Sequence, residues 1–198
     1  MSASLERSIY LIKHAEPAVR PDVPPEQWTL SLRGIEEARR IAEAVRGSGL
    51  QAVYSSFEPK AKATALIIAE PAGVQVRVIE GFEELRLGGW IANADDFNDL
   101  VRQILEHPRE SVPGAETARA AAKRFERAME VVLKAELPAV VVSHGRIVAA
   151  YLSCVLGEPG PFTLWRSIPS AGVARLDSSG LAPKLATPFV EAAKLAAP

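Results

Sequence analysis

Ala139-Val140-Val141-Val142-Ser143 is a nearly unbroken apolar, β-branched run, and His144-Gly145-Arg146 follows it at once. A strand with one wet face alternates apolar and polar residues. A run without alternation suits a strand covered on both faces, as in a largely parallel sheet packed between helices. Working outward, residues 8–13 (S-I-Y-L-I-K) and 50–55 (L-Q-A-V-Y-S) have the same character. Residues 74–79 alternate Val74, Val76 and Val78 with other partners, and 172–177 (G-V-A-R-L-D) is a weaker strand. Helical patterns fill the intervals. One spans 31–46, from a Ser31 cap to the Gly47-Ser48-Gly49 stop, and others span 60–70, 95–106, 116–137 and 146–156. Strands alternating with helices predict an α/β fold in three layers, α/β/α, around a mostly parallel central sheet. After Asp177 the pattern fades, apart from a short terminal helix expected over 189–197.

The chain has 198 residues, which predicts a single domain over 1–198, with a core at 8–177 and a tail at 178–198. A formal net charge of −1 gives no global attraction to nucleic acid or to an anionic membrane, so any anion site must be a local cluster. The single cysteine, Cys154, excludes an intramolecular disulfide framework and reads as a small core residue. No apolar stretch reaches the roughly 20 residues of a membrane span, and the polar start lacks the apolar region of a secretion signal. A cytoplasmic location is the expectation.

In open α/β sheets ligands sit beyond the carboxyl ends of the strands. The first strand ends in Lys13-His14-Ala15-Glu16, the second in Ser55-Ser56 ahead of Lys60, the third leads to Glu83-Glu84, and the fourth ends in Ser143-His144. Two of the three histidines, two lysines and a carboxylate pair are thereby expected on one rim. That set suits phosphoryl transfer. A neutral imidazole is a competent nucleophile when its other nitrogen is held by a hydrogen bond. Cations and N–H donors stabilise the phosphoryl oxygens, and a carboxylic acid protonates the departing oxygen. The helix starts near 56–60 and at Gly145 would add dipoles suited to an anion.

At these residues the chain resembles the histidine phosphatase superfamily, which includes the cofactor-dependent phosphoglycerate mutases. Leu11-Ile12-Lys13-His14-Ala15-Glu16 is similar to its L-[VI]-R-H-G-[ET] opening, and Leu30-Ser31-Leu32-Arg33-Gly34 with Glu37-Ala38 to L-[TS]-x-x-G-x-x-Q-A. Val53-Tyr54-Ser55-Ser56, with Lys60-Ala61 and Thr64-Ala65, resembles V-x-S-S-P-x-x-R-A-x-x-T-A. Glu84 to Gly88 with Trp90 is similar to E-x-x-x-G-x-W, Pro113-Gly114-Ala115-Glu116-Thr117 to P-G-G-E-S, and Val141-Val142-Ser143-His144-Gly145 to V-V-S-H-G. The six segments come in the family's order. The resemblance implies a phosphoglycerate mutase-like fold, with His14 as the residue phosphorylated in the cycle, Glu84 as proton donor and His144 as the second pocket imidazole. It implies phosphate binding by Lys13, Lys60 and His144, no cofactor and no metal. The partner implied is a small phosphorylated substrate, with neither nucleic acid nor membrane, and a homodimer is compatible with it.

Lys13 and Lys60 stand where the family usually carries arginines. An ammonium keeps the charge but loses the planar fork, a loss of about 1–2 kcal/mol of transition-state binding at each position. Arg146, Arg86 and Arg20 are candidates to supply a guanidinium. Glu83 competes with Glu84 as the acid, and only the motif register favours Lys60 over Lys62. His107 reads as a solvated helix-end residue, and Trp90 and Trp165 as packing residues. The leading expectation is a metal-independent phosphomonoesterase working through phosphohistidine on His14. Its rivals are a mutase, a zinc site built from His14, His144 and Glu84 (disfavoured by two lysines), and a phosphate-binding module without turnover. The short segment between Trp90 and Pro113 favours the phosphatase over the mutase, by analogy with the longer insertion of mutases.

Overall fold

A computed structural model describes residues 7–192. Among them, six strands form one sheet: β1 Ser8–Lys13, β2 Ala52–Ser55, β3 Val76–Val78, β4 Ala139–Ser143, β5 Gly172–Asp177 and β6 Lys184–Glu191, in spatial order β3-β2-β4-β1-β5-β6. The pairings β3–β2, β2–β4 and β4–β1 are parallel, whereas β1–β5 and β5–β6 are antiparallel. The helices are α1 Leu32–Ala44, α2 Pro59–Ala69, α3 Ala94–Glu106, α4 Ala118–Leu133, α5 Gly145–Cys154 and α6 Pro161–Ser167. Two single 3₁₀ turns, Pro25–Gln27 and Glu70–Ala72, accompany them.

The unbroken apolar runs have the cause expected of them. In β1, Ile9 and Leu11 enter one core and Tyr10 and Ile12 the other; in β4, Ala139 and Val141 oppose Val140 and Val142 in the same way. The first core is filled from α3, α4 and α5 by residues such as Ile104, Phe125 and Tyr151, and the second from α1 and α2 by Ile41, Ala65 and Ile68. The result is a helix–sheet–helix sandwich. No helix of the described residues is long and apolar enough to cross a membrane.

Several boundaries differ from expectation. Residues 184–191 form β6 rather than a patternless tail, so Phe189, Val190 and Glu191 are strand residues and not the start of a helix. The rest of the helix expected over 189–197 lies outside the described residues, apart from Ala192. The helix expected over 116–137 starts after a Thr117 cap, which accepts from the Ala120 amide, and stops at Leu133. The short helix α6 was not expected.

The helix start at α1 explains one glycine. Ser31 caps it, accepting from the Gly34 amide at 2.9 Å, and the Ser31 amide donates to the Glu16 carbonyl at 3.0 Å. That contact brings the turn after His14 so close that a Cβ on Gly34 would lie 2.1 Å from the Glu16 carbonyl oxygen. The obstacle is backbone, which cannot rotate away. Gly34→Ala is therefore expected to lower stability by about 2–4 kcal/mol, read as a fall in urea midpoint at unchanged slope.

Candidate active site

β1 and β4 are parallel neighbours with Lys13 opposite Ser143, so the residues that follow them, His14 and His144, emerge side by side. The His14 amide donates to the Ser143 carbonyl at 2.9 Å. The two rings meet edge to face, with centroids 5.0 Å apart and planes inclined at 63°. Both are buried, at 7% and 0% exposure. His14 Nδ1 lies 2.8 Å from the Ala15 carbonyl oxygen, which can only accept, so Nδ1 carries the proton and Nε2 keeps its lone pair. Burial, reinforced by Lys60, Lys13 and Arg146, pushes the His14 imidazole down to about 3, which leaves it neutral and nucleophilic at physiological pH.

His144 is also held well below the usual imidazole range, first by burial and then by His14 and the surrounding cations. Its Nε2 lies 3.0 Å from Ser56 Oγ, which itself accepts from the Glu58 amide. Its Nδ1 is buried and has no hydrogen-bond partner among the described residues. An orphaned buried nitrogen is costly. In this pocket it fits the oxygen of a tetrahedral anion.

The motif residues resolve into contacts around the His14 turn. The Ala15 amide donates to Thr64 Oγ1 at 3.1 Å, tying the turn to α2. Glu37 accepts from the Glu16 amide at 2.9 Å and from Ser170 Oγ at 2.8 Å, joining the same turn to the entry of β5. Ala15, at the family's glycine, needs no left-handed backbone: Ala171 is the positive-φ non-glycine residue among those described.

Lys13 is largely buried, and its Nζ reaches the Ile168 carbonyl at 3.4 Å; burial lowers its pKa. Lys60 is buried too, but it is not free. Its Nζ donates to the Pro25 carbonyl at 2.7 Å and to Glu58 Oε2 at 2.5 Å. Glu58 is the residue that sequence reasoning missed. Its carboxylate is 4% exposed, accepts the Glu84 amide at 2.7 Å and lies 3.4 Å from His144 Nε2. The available signal was an acid two positions before Lys60.

Glu84 sits at the N-terminus of α5. One carboxylate oxygen accepts from the Ile147 amide at 2.9 Å and from its neighbour Leu85 at 2.8 Å, and the other lies 3.4 Å from the Arg146 amide. The dipole expected to serve an anion at Gly145 is thus occupied, in the free protein, by this carboxylate. Glu83 is settled differently. It accepts the Gly81 amide at 2.7 Å and pairs with Arg124 at 3.2 Å. Arg124 is a second residue without a sequence signal: from α4 it binds Glu116 through two nitrogens and donates to the carbonyls of Gly81, Glu83 and Glu84. The Pro113–Thr117 motif therefore anchors the turn that carries Glu84.

Of the candidate guanidiniums, only Arg146 adjoins the site, its Nε 3.6 Å from Glu84. Arg20 pairs with Asp22 in solvent, and Arg86 is 69% exposed. Among the described residues no group of three or more His, Cys, Asp or Glu is placed to hold a metal ion, so the zinc set of His14, His144 and Glu84 is not assembled. His107 is exposed at the end of α3, 3.6 Å from Glu110. Cys154 is half-buried, and burial raises its thiol pKa, which leaves it unreactive. Trp90 stacks edge to face on Trp28 at 5.3 Å, while Trp165 packs on Phe97 and Phe162.

Residues 9–188 match the profile of the histidine phosphatase superfamily, branch 1. The chain is 27% identical over 184 residues to a probable phosphoglycerate mutase of Yersinia pestis, covering 85% of this chain and 84% of that one. Among solved structures, it resembles a mycobacterial glucosyl-3-phosphoglycerate phosphatase with a TM-score of 0.73 at 21% identity, covering 91% and 97% of the two chains. It also resembles a phosphoserine phosphatase of Entamoeba histolytica, with a TM-score of 0.69 at 20% identity and coverage of 93% and 97%.

Proposed function

The chain belongs to the histidine phosphatase superfamily, and on that premise we propose that it is a metal-independent phosphomonoesterase acting on a small phosphorylated substrate. The observation that carries the reading is the facing pair of buried imidazoles, one with a free Nε2 lone pair and the other with an unpartnered Nδ1. If Ser56 Oγ–H donates to His144 Nε2, His144 Nδ1 carries the proton and can donate it to a phosphoryl oxygen.

In the first half-reaction His14 Nε2 attacks phosphorus as the bond to the leaving oxygen breaks, and Glu84, reacting in its protonated form, gives that oxygen its proton. Lys13, Lys60 and His144 spread the charge on the remaining oxygens. In the second, the Glu84 carboxylate takes a proton from water, whose oxygen attacks phosphorus as the bond to Nε2 breaks. Phosphate leaves, with His14 Nε2 free again and Glu84 holding the proton for the next turn. Hydrolysis is favoured over transfer between positions of a sugar acid because the segment between Trp90 and Pro113 holds the single helix α3 and no larger cover. The Lys60–Glu58 pair points to slower turnover than two free arginines would give.

The test is a panel of phosphate monoesters, including an aryl phosphate, assayed with chelator present. Release of phosphate insensitive to chelator, with an acid-labile phosphoenzyme trapped on quenching, is the expected result. Transfer within a sugar acid without net release would make it a mutase. Thermal stabilisation by phosphate with no turnover of any ester would make it a binding module.

A further inference from the structure

Glu58 occupies the position before the first turn of α2, where an acid ordinarily accepts the free amides of its own helix. Here its side chain makes no such cap. It turns inward instead and is buried among Lys60 Nζ, the Glu84 amide and His144 Nε2. Taking a carboxylate out of water is costly unless each partner is in place, so this orientation calls for an account that helix capping does not give. Resting on the reading of the pocket as a phosphoryl site, we propose that Glu58 is a positioning residue that lets His144 take up a second proton when a phosphoryl dianion enters.

The argument concerns the charges on the two sides of one ring. In the free protein His144 is neutral, because burial and nearby cations oppose a charge there. The groups facing it or Glu58 are His14 at the end of β1, Lys60 on α2, Glu84 on the turn before α3, Arg124 on α4 and Arg146 on α5. Arg124 is already neutralised by Glu116 and Glu83, and Arg146 faces Glu84. A dianion at the open Nδ1 side reverses the local field. The imidazolium then lies between two anions, with Nδ1–H on the phosphoryl oxygen and Nε2–H on Ser56 Oγ or Glu58 Oε1, and solvent supplies the proton. This adds a positive charge where the chain has lost a guanidinium. Lys60 cannot supply it alone, since two of its three protons are already given to Glu58 and Pro25.

Titration calorimetry with tungstate tests the proposal, since this tetrahedral dianion takes up no proton of its own near neutral pH. Binding heats in buffers of different ionisation enthalpy give the protons exchanged. Wild type is expected to take up about one proton. Glu58→Gln is expected to take up almost none and to bind at least about tenfold more weakly, with Glu58→Asp recovering part of both. His144→Gln, whose amide cannot be protonated, provides an independent variant and is expected to abolish uptake. Full uptake and unchanged affinity in Glu58→Gln would overturn the proposal, as would tighter binding, the mark of a carboxylate that merely competes with the anion. Uptake retained in His144→Gln would overturn it as well. Failure of wild type to bind tungstate at all would remove the phosphoryl-site reading together with this one, whereas binding without uptake removes this one alone.

Discussion

Replacing His14 by alanine is expected to lower phosphate release at least about 10⁴-fold while leaving the fold intact. The size follows from the role. No other side chain in the pocket offers an unshared pair on a neutral nitrogen with its tautomer fixed. His144 presents its Nε2 to Ser56, and Lys13 and Lys60 act as donors, to the carbonyls of Ile168 and Pro25. Without the nucleophile only direct attack by water remains, and Glu84 alone cannot recover the covalent route. The variant keeps Ala15 on Thr64 and the His14 amide on Ser143, which are backbone contacts, so circular dichroism and the urea midpoint should change little at pH 7.5. A steady-state rate within tenfold of wild type would show that the reaction does not pass through this residue.

Mild acid is expected to destabilise the protein steeply, and the same two rings are the cause. An imidazole whose folded-state pKa lies below its unfolded value near 6.5 binds fewer protons in the native state than in the unfolded chain. Its contribution is therefore intact above about pH 6.5 and is lost as pH falls, for His14 through a window that closes near 3. Each such ring costs roughly 1.4 kcal/mol per pH unit inside the window. Glu58 acts in the opposite direction: its carboxyl is raised by burial, so acidification favours the folded state as it takes up its proton. The two histidines outweigh one carboxyl. Against an ordinary domain stability of about 5–15 kcal/mol, unfolding should set in by roughly pH 4. Urea midpoints measured between pH 7.5 and 4.5 check this, and His14→Ala should flatten the slope. A flat profile in wild type would show that the rings are protonated in the native state.

The parts of the fold legible in the chain are those with a single physical cause. β1 and β4 begin and end at the residues expected, because strands buried on both faces leave unbroken apolar runs, and the weaker pattern of β5 has the expected bounds too. The last strand was not legible. Its exposure alternates between full and partial, it carries Pro188, and among the described residues it pairs with β5 alone. Helix α6 is seven residues long, too short to display a period. At the site, His14 and His144 could be placed together because each directly follows a strand, and the register of two parallel neighbours does the rest. Glu58, Arg124 and Glu37 could not. Each acts on a partner at least 21 residues away in the chain, and nothing local marks a buried acid or a clamping arginine before the fold brings the partners together.

Among the described residues, both margins of the sheet are poor templates for a further strand. On one side the outermost strand, β3, has three residues, too few to template a lengthy partner. On the other, β6 carries Pro188, which has no amide hydrogen to offer, beside register shifts in its pairing with β5 that break the even ladder a newcomer would need. Neither margin can readily be extended into a continuous intermolecular ribbon. Among the described residues, a strand added at either edge would therefore gain fewer main-chain hydrogen bonds than an uninterrupted edge offers.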